Sequence, residues 1–446
     1  MSKRNLIGFI WLLLTGNIQA QETSGTVWSI EQCMDYAVEH NHQVRQQVYN
    51  LNDYQSQRTR SIGSFLPYVS SYINVQNNFG RAIDPQTNTY TDVSTFSNGY
   101  SLSASLSIFE GFRRLHQLRM AKAQILSGKQ ALQMQKENVA LNVLKAYLDA
   151  IYYQETLRIA RRKLEQSKAL LHQTQVMMEV GRKGEAEWKQ MQASLAADEF
   201  ETTHQQNLLD QALLTLKREM NYPTGDPLIL VSSADWHCEA RSASTDSIYQ
   251  YARNTQPKIL QAQTALKMAE YNLKTAKADL YPSLSLNAGV SSSFFKNMND
   301  KNARAFQEQM RNNAGQYLSA TLSIPLFNRT NTLSSIRERR NRLEQAKENL
   351  EYEQQELQRL ITEIVADWEN AYQEIKKMEQ KVEADSISAE ITIRKWEEGL
   401  ASPIDVQTVT VALLQSQAQQ LQCRLNLYYN TRLLNYYQGN ALWTEK

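Results

Sequence analysis

The segment YSLSASLSI, residues 100–108, has an apolar or aromatic residue at every even position and serine at every odd position. Successive side chains of a β-strand point to opposite faces of the sheet. One face of this segment is therefore expected to be apolar, and the other to carry hydroxyl groups. The pattern predicts a strand that separates an apolar environment from a polar one.

Three further segments alternate in a similar way, and we predict four strands, at about residues 64–79, 98–110, 280–292 and 316–327. Their alternating parts are about nine to eleven residues long, which is the length that a tilted strand needs to cross a bilayer. Half-buried strands of a soluble sandwich are the commoner source of such alternation. Here, however, the polar positions are almost entirely Ser, Thr and Asn, which favours a water-filled lumen.

Four strands are too few to close a transmembrane barrel within one chain. Open sheet edges cannot lie in lipid, because their backbone groups would have no hydrogen-bond partners there. The strands therefore predict an oligomer in which several chains together close one barrel.

Two segments without proline, 113–180 and 330–398, are predicted to form very long helices. At about 1.5 Å per residue, each would be roughly 100 Å long. Narrow apolar seams along them are typical of coiled-coil packing. Turns are predicted at 181–184 and 399–403. Shorter helices are predicted at 29–61, 185–222, 247–277 and 404–438. A soluble periplasmic coiled-coil adaptor or scaffold is the alternative interpretation of the helices, but it leaves the four strands unexplained.

The order of these elements predicts an internal twofold sequence repeat. Its parts are a first repeat at 21–222, a linker at 223–246, a second repeat at 247–439 and a C-terminal tail at 440–446. The turn glycines Gly181 and Gly399 are 218 residues apart, as are Phe109 and Phe327 at the ends of strands. Such regular self-similarity determines the architecture before any single motif does. All strands are expected at one end of the molecule and both glycine turns at the other.

The N-terminus predicts a secretory signal peptide at residues 1–20. Lys3 and Arg4 form its positive end, an apolar run follows from Leu6 to Leu14, and Ala20 is a small residue suited to cleavage. No other stretch approaches 18 consecutive apolar residues, so we predict no membrane-spanning helix in the mature chain.

The composition indicates neither a nucleic-acid partner nor a catalytic site. The net charge is +2 and the isoelectric point is about 8.2, without a dense basic stripe. Cys33, Cys238 and Cys423 form no metal-binding pattern, and the sequence does not determine whether two of them pair. The HNH tripeptide at residues 40–42 resembles a nuclease motif, but it lies within a helical pattern. We therefore predict that the protein is not an enzyme and has no cofactor and no metal site.

Several motifs, in this order and in both halves of the chain, resemble the TolC-like outer-membrane efflux proteins, the outer-membrane factors of tripartite efflux or type I secretion systems. The motifs are WSIEQCMDYA at 28–37 leading to Asn41, Leu66-Pro67, SIPLF at 323–327, GLASPIDV at 399–406, Leu433-Leu434 and Gly439. The resemblance covers nearly the whole mature chain.

The resemblance implies a mostly α fold with a membrane β region. Three chains of four strands each would form a twelve-stranded outer-membrane β-barrel, continuous with a long periplasmic α-helical barrel. Such a homotrimer would be a passive exit duct in the outer membrane. A periplasmic adaptor (membrane fusion) protein and an inner-membrane pump of the RND, ABC or MFS type would be its partners, with outer-membrane lipid around the barrel.

The resemblance also implies that the two glycine turns contact the adaptor. Their residues are Gly181, Arg182, Lys183 and Gly184 in the first turn, and Gly399, Leu400, Ala401, Ser402 and Pro403 in the second. Glycine lets the chain reverse direction and lets a second backbone approach closely. The alternative is that both segments are only turns between helices. The first turn departs from the family pattern, because Arg182 and Lys183 replace small apolar residues.

A periplasmic gate just inside the turns is the second site that the resemblance implies. The family often closes the tunnel with a Tyr, an Arg and an Asp, and the matching positions here hold Trp396, Ala401 and Glu187. The arginine is missing, so that ionic lock is not expected in its usual form. Asp405 matches a position of an acidic ring that attracts cations. The alternative reading of Asp405 is an aspartate at the positive start of a helix.

Overall fold

The computed structural model describes residues 27–83, 88–92, 94–231, 244–298 and 303–443, so the predicted signal peptide lies outside the described residues. The described helices are α1 Ile30–His40, α2 His42–Gly63, α3 Arg113–Glu179, α4 Glu185–Met220, α5 Thr245–Thr255, α6 Pro257–Ala278, α7 Phe306–Asn312, α8 Asn331–Glu397 and α9 Pro403–Tyr437. The described strands are β1 Val27–Trp28, β2 Tyr68–Asn78, β3 Arg81–Ile83, β4 Tyr90–Asp92, β5 Thr95–Glu110, β6 Ile229–Leu230, β7 Ser283–Asn297 and β8 Gly315–Ser323.

Four strands form one antiparallel sheet in the order β2-β5-β7-β8, and they come from the four segments in which alternation was found. The last strand ends at Ser323 rather than at the predicted 327. Pro325 explains the early end, because proline has no N–H to donate to a strand ladder. The third strand continues to Asn297, beyond the predicted 292.

The register gives this sheet two chemically distinct faces. One rung across the four strands joins Ser70, Ser103, Gly289 and Tyr317. The adjacent rung joins Val69, Ala104, Ala288 and Leu318. Because side chains alternate along every strand, polar and apolar rows stay on opposite faces over the sheet. The outer strands β2 and β8 are exposed along almost their whole length.

Each long helix begins directly after two consecutive residues in the left-handed backbone region. The φ angles are +59° at Gly111 and +65° at Phe112 before α3, and +56° at Arg329 and +67° at Thr330 before α8. These residues redirect the chain from the sheet into the helices. Gly111 has a second reason to be glycine, since an added Cβ would lie 2.6 Å from the carbonyl oxygen of Ala278.

The helices α3 and α8 contain 67 residues each, which corresponds to about 100 Å of continuous helix. α3 packs against α4, and α8 packs against α9, as two antiparallel helical hairpins. The strands lie at the start of each long helix and the glycine turns at its end. None of the described helices combines the length and the apolar character that crossing a membrane would require.

The largest apolar core surrounds the middle of α3 and holds the short parallel pair β1 and β6. The Tyr147 hydroxyl is 3.1 Å from the carbonyl oxygens of both Trp28 and Val231, so it ties the two short strands to α3. Leu442 and Trp443 also belong to this core, although both fall in the segment predicted as a C-terminal tail. These two residues of the predicted tail therefore contribute to packing, whereas residues 444–446 lie outside the described residues.

The helices predicted at 29–61 and 247–277 are each divided in two. Asn41 ends α1 and caps α2, with its side-chain oxygen 2.8 Å from the backbone nitrogen of Gln43. Pro257 occupies the first position of α6, where its missing N–H costs no helical hydrogen bond. The HNH tripeptide thus lies at a helix junction, and the His40 ring stacks on Tyr36 with 4.0 Å between centroids.

The long connection after β7 contains the short helix α7. β8 pairs with β7 only as far as Ser291, so the end of β7 lacks a strand on that side. The Gln309 amide takes the place of that strand, accepting from the Phe295 nitrogen at 3.0 Å and donating to the Phe295 oxygen at 2.9 Å. Gln309 is therefore buried although it lies in a connecting segment.

Candidate functional site

The two glycine turns, which we call tip 1 (181–184) and tip 2 (399–403), end α3 and α8 with the same hydrogen-bond pattern. The nitrogen of Arg182 is 2.9 Å from the Met177 oxygen, and the nitrogen of Leu400 is 2.7 Å from the Lys395 oxygen. In each case the preceding glycine, with φ +75° at Gly181 and +78° at Gly399, provides the left-handed residue that this Schellman motif needs.

Both tips present backbone and apolar side chains to solvent. A Cβ added at Gly181 or Gly399 would meet no atom within 4 Å. The side chains of Val180 and Leu400, next to these glycines, are exposed. An exposed glycine with an exposed apolar neighbour allows close approach of a partner backbone, which is compatible with the predicted role of the tips.

The helices that follow the two tips begin differently. α9 starts with a capping box, in which the Ser402 nitrogen is 2.9 Å from Asp405 Oδ2 and the Asp405 nitrogen is 3.3 Å from Ser402 Oγ. α4 follows Gly184, which offers no side-chain cap. The hydrogen bonds that Asp405 accepts from Ser402 lower the pKa of this exposed carboxyl, so it is held in the charged form. The contacts of Asp405 within the chain are thus those of an aspartate at the start of a helix.

Tip 1 carries basic side chains, of which one is paired within the tip. Lys183 Nζ is 3.5 Å from Glu187 Oε2, across one helical turn. Arg182 is exposed, and it makes no ion pair with any residue that the structure describes. Tip 1 therefore displays one free guanidinium group, whereas tip 2 displays none of its own.

Trp396 lies in the last turn of α8 but points into the protomer, with 4% of its surface exposed. A cavity of about 250 Å³ between the two helical hairpins is lined by Trp396 together with Leu170, Met191 and Val406. The indole nitrogen is buried without a hydrogen-bond partner. The predicted gate tryptophan is thus a buried contact between the hairpins within one chain, not an exposed side chain.

The same cavity is bordered by a buried charge pair that sequence reasoning missed. Lys163 Nζ is 2.6 Å from Asp198 Oδ1, and the Ser167 hydroxyl donates to Asp198 Oδ2 at 2.5 Å. Asp198 is 4% exposed. Because these residues lie on opposite helices of the first hairpin, far apart in sequence, no local pattern signals their contact.

The structure does not bring the three predicted gate residues into one bonded set. Glu187 pairs with Lys183, Asp405 bonds to Ser402, and Trp396 is buried between the hairpins. Within the described part of the chain, none of the three bonds to either of the others.

The described residues include no group of three or more His, Cys, Asp or Glu side chains placed to hold a metal ion. Cys33 and Cys423 are free thiols, whereas Cys238 lies outside the described residues. Cys33 is fully buried, and burial raises its thiol pKa to about 12.

Comparison with known proteins relates this chain to channels of bacterial outer membranes. The family model of the outer membrane efflux proteins matches residues 34–221 and 248–439. Alkaline protease secretion protein AprF of Pseudomonas aeruginosa is 22% identical over 375 residues, which cover 81% of this chain and 75% of AprF. Pyoverdine export outer membrane protein OpmQ of Pseudomonas putida is 25% identical over 327 residues, which cover 69% of this chain and 64% of OpmQ.

Solved structures of outer-membrane channels share the fold. CusC superimposes with a TM-score of 0.79 at 16% identity, covering 92% of each chain. VceC of Vibrio cholerae gives 0.77 at 13% identity, covering 93% of this chain and 96% of VceC. The open state of MtrE from Neisseria gonorrhoeae gives 0.74 at 16% identity, covering 93% of this chain and 89% of MtrE.

The family match covers most of the chain and confirms the TolC-like resemblance. It also confirms two further predictions, that the protein is a transport protein rather than an enzyme and that it lies in the outer membrane with a long periplasmic extension. The soluble scaffold is not favoured. The chain belongs to the outer membrane efflux protein family.

Proposed function

We propose that three copies of this chain form a passive exit duct across the outer membrane. The observation that carries this proposal is the two-faced sheet whose outer strands, β2 and β8, both have open edges. In lipid these edges require partners, and β8 of one copy can pair with β2 of the next. Three copies would then close a twelve-stranded barrel, with its apolar rows toward lipid and its serine rows toward the lumen.

The helices continue this duct into the periplasm. Three copies contribute six helical hairpins, and the long helices give the helical barrel a length of about 100 Å. The two halves arise from an internal repeat, which the two separate matches of the family model support. In this proposal the duct is passive, so transport follows the gradient that other components establish.

The partners are a periplasmic adaptor at the tips and an inner-membrane pump of the RND, ABC or MFS type behind it. The matching Schellman motifs of Gly181 and Gly399 offer the adaptor two similar, exposed docking points. Arg182 adds a free positive charge at tip 1, which favours an adaptor tip with an acidic group there. AprF is named for alkaline protease secretion and OpmQ for pyoverdine export, so these two relatives do not point to one cargo for this chain.

The gate lies between the tips and the buried contact of Trp396. Trp396 holds the second hairpin against the first, and the adjacent cavity leaves room for the hairpins to move. Separation of the hairpins around Trp396 opens the tunnel, while Asp405 keeps a negative charge near its entrance and Glu187 pairs with Lys183 there. A packing contact thus replaces the missing arginine of the family's ionic lock.

Planar-bilayer recording tests the duct. Protein purified in detergent should insert as trimers and conduct ions without nucleotide or a proton gradient. Cysteine pairs scanned along the lipid-facing rows of β2 and β8, starting from Val69 and Leu318, should include a pair that cross-links adjacent copies into a covalent trimer. The scaffold alternative predicts instead a protein that is extracted in buffer without detergent and that forms no conducting channel.

A further inference from the structure

The polar face of the four-stranded sheet carries no charged side chain over most of its length. On β5 this face consists of Gly99 and a row of serines, namely Ser97, Ser101, Ser103, Ser105 and Ser107. On β7 the facing positions from 285 to 295 are Ser, Asn, Gly, Ser, Ser and Phe. A register shift between Ser107 and Phe109 places Glu110 opposite Ser283 on this face. Glu110 is the first charged residue on this face of the described strands, at the helical end, and Arg114 pairs with it at 3.2 Å.

Three tyrosines interrupt this hydroxyl-lined surface. Tyr317 lies in the same rung as Ser103 and Gly289, and Tyr68 and Tyr72 lie one side-chain step to either side of that rung on β2. All three are exposed, by 72% for Tyr68, 66% for Tyr72 and 52% for Tyr317. They therefore form an aromatic zone on the two outer strands of the sheet, within two residues of the rung that holds Tyr317.

The ring of Tyr317 packs against Gly289 of the neighbouring strand. A Cβ at Gly289 would be 2.6 Å from Tyr317 Cε1, 2.8 Å from Cζ and 2.9 Å from the hydroxyl oxygen. The absence of a side chain at Gly289 thus lets the ring approach the backbone of β7, while about half of the Tyr317 surface stays exposed (52%). A ring held in this way is an aromatic platform that needs no reorganisation before another ring stacks on it.

We propose that Tyr317, with Tyr68 and Tyr72, forms a stacking site for aromatic solutes on the lumen face of the barrel, where the lining selects neither positive nor negative charge. The inference rests on the proposed duct, in which the polar face lines the lumen. The stacking site would give the β-barrel itself a preference for aromatic cargo. Planar aromatic groups are retained briefly in this zone, whereas cations and anions pass it equally.

Thiol labelling of the full-length protein in detergent tests the charge part of this proposal. In the Ser103→Cys variant, methanethiosulfonate reagents with a trimethylammonium or a sulfonate group should react at rates within about threefold of each other, because a nearby fixed charge changes local ion concentration by about tenfold or more. Each rate is normalised to that of a small free thiol. Labelling of the parent protein is subtracted, and its Cys33 is buried with a raised thiol pKa.

Protection of the same thiol tests the stacking part. 2-Naphthol should slow the labelling of Ser103→Cys in a saturable manner, and cyclohexanol at equal concentration should not. Adding Tyr317→Ala should raise the half-protecting concentration about tenfold, since a stacking partner is lost. Tyr317→Phe keeps the ring and should retain protection. Tyr100→Ala, which removes a tyrosine from the apolar face of β5, is the matched control and should change nothing.

The outcomes separate this proposal from the duct itself. Equal protection by naphthol and cyclohexanol, or unchanged protection in Tyr317→Ala, would overturn the stacking site. A strong preference for one reagent charge would overturn the neutral lining. If Ala104→Cys on the opposite face reacts with both water-soluble reagents while Ser103→Cys does not, the orientation of the barrel in the proposed function is wrong instead.

Discussion

Substitution of Gly111 by alanine tests how the sheet joins the long helix α3. Gly111 has φ +59°, and an added Cβ would lie 2.6 Å from the Ala278 oxygen and 2.8 Å from Tyr281 Cβ. The left-handed conformation costs alanine about 1–2 kcal/mol, and forcing atoms into a packed site costs a further ~1–3 kcal/mol. The expected loss of stability is therefore about 2–5 kcal/mol per chain.

Gly399→Ala is the matched control for this change. Its φ is +78°, but no atom lies within 4 Å of the added Cβ, so only the backbone strain applies. Thermal unfolding in detergent is followed by circular dichroism, with the trimer fraction measured in parallel. The unfolding temperature of Gly111→Ala should be clearly lower than that of Gly399→Ala. Equal unfolding temperatures for the two variants would refute the claim that α6 packs tightly against the start of α3.

Three further changes have defined outcomes in the same unfolding assay. Asp198→Ala should destabilise the chain by about 3–5 kcal/mol, because it leaves the mostly buried Lys163 without its partner. Trp443→Ala should cost about 3–5 kcal/mol, because the side chain belongs to the core around α3. Hydrogen bonds from Ser402 lower the pKa of the Asp405 carboxyl in the folded state. The charged Asp405 therefore stabilises the fold fully at pH values above its unfolded-state pKa, and this stabilisation is lost as the pH falls through its folded-state pKa. Asp405→Asn should weaken this acid dependence.

The predictions for Asp198 and Trp443 each have an internal control. Arg394→Ala removes an exposed ion pair with Glu390 and should change stability by only about 0–1 kcal/mol. Phe200→Ala removes an exposed aromatic side chain and should be close to neutral. A loss in Asp198→Ala no larger than in Arg394→Ala would mean that the buried pair is not stabilising. An unchanged acid profile in Asp405→Asn would contradict the capping role.

Much of the sheet and the long helices could be predicted because their signals are local. Alternation at 100–108 follows directly from the period of a strand, and the register then pairs like faces across the sheet. The long helices end where Gly181 and Gly399 permit a left-handed residue. The end of β8 was predicted too late, because the apolar residues after Pro325 continue the alternation without being able to continue the ladder.

The remaining features depend on contacts between distant segments. Lys163 and Asp198 meet only because α3 and α4 fold into a hairpin, and either residue alone reads as a solvated helix position. Trp443 was predicted to lie in the C-terminal tail, because its packing in the core around α3 depends on residues far away in the sequence. Trp396 could be placed near a gate by resemblance, but its burial between hairpins depends on packing that the sequence does not display.

Single-particle imaging of the detergent-purified full-length protein tests the central claim most directly. We expect a threefold rod with a helical section of roughly 100 Å, a short barrel at one end in which β8 of each copy pairs with β2 of the next, and the tips of Gly181 and Gly399 at the other end. Monomers or dimers that remain dispersed without detergent, with the apolar rows of the sheet covered within one chain, would contradict it.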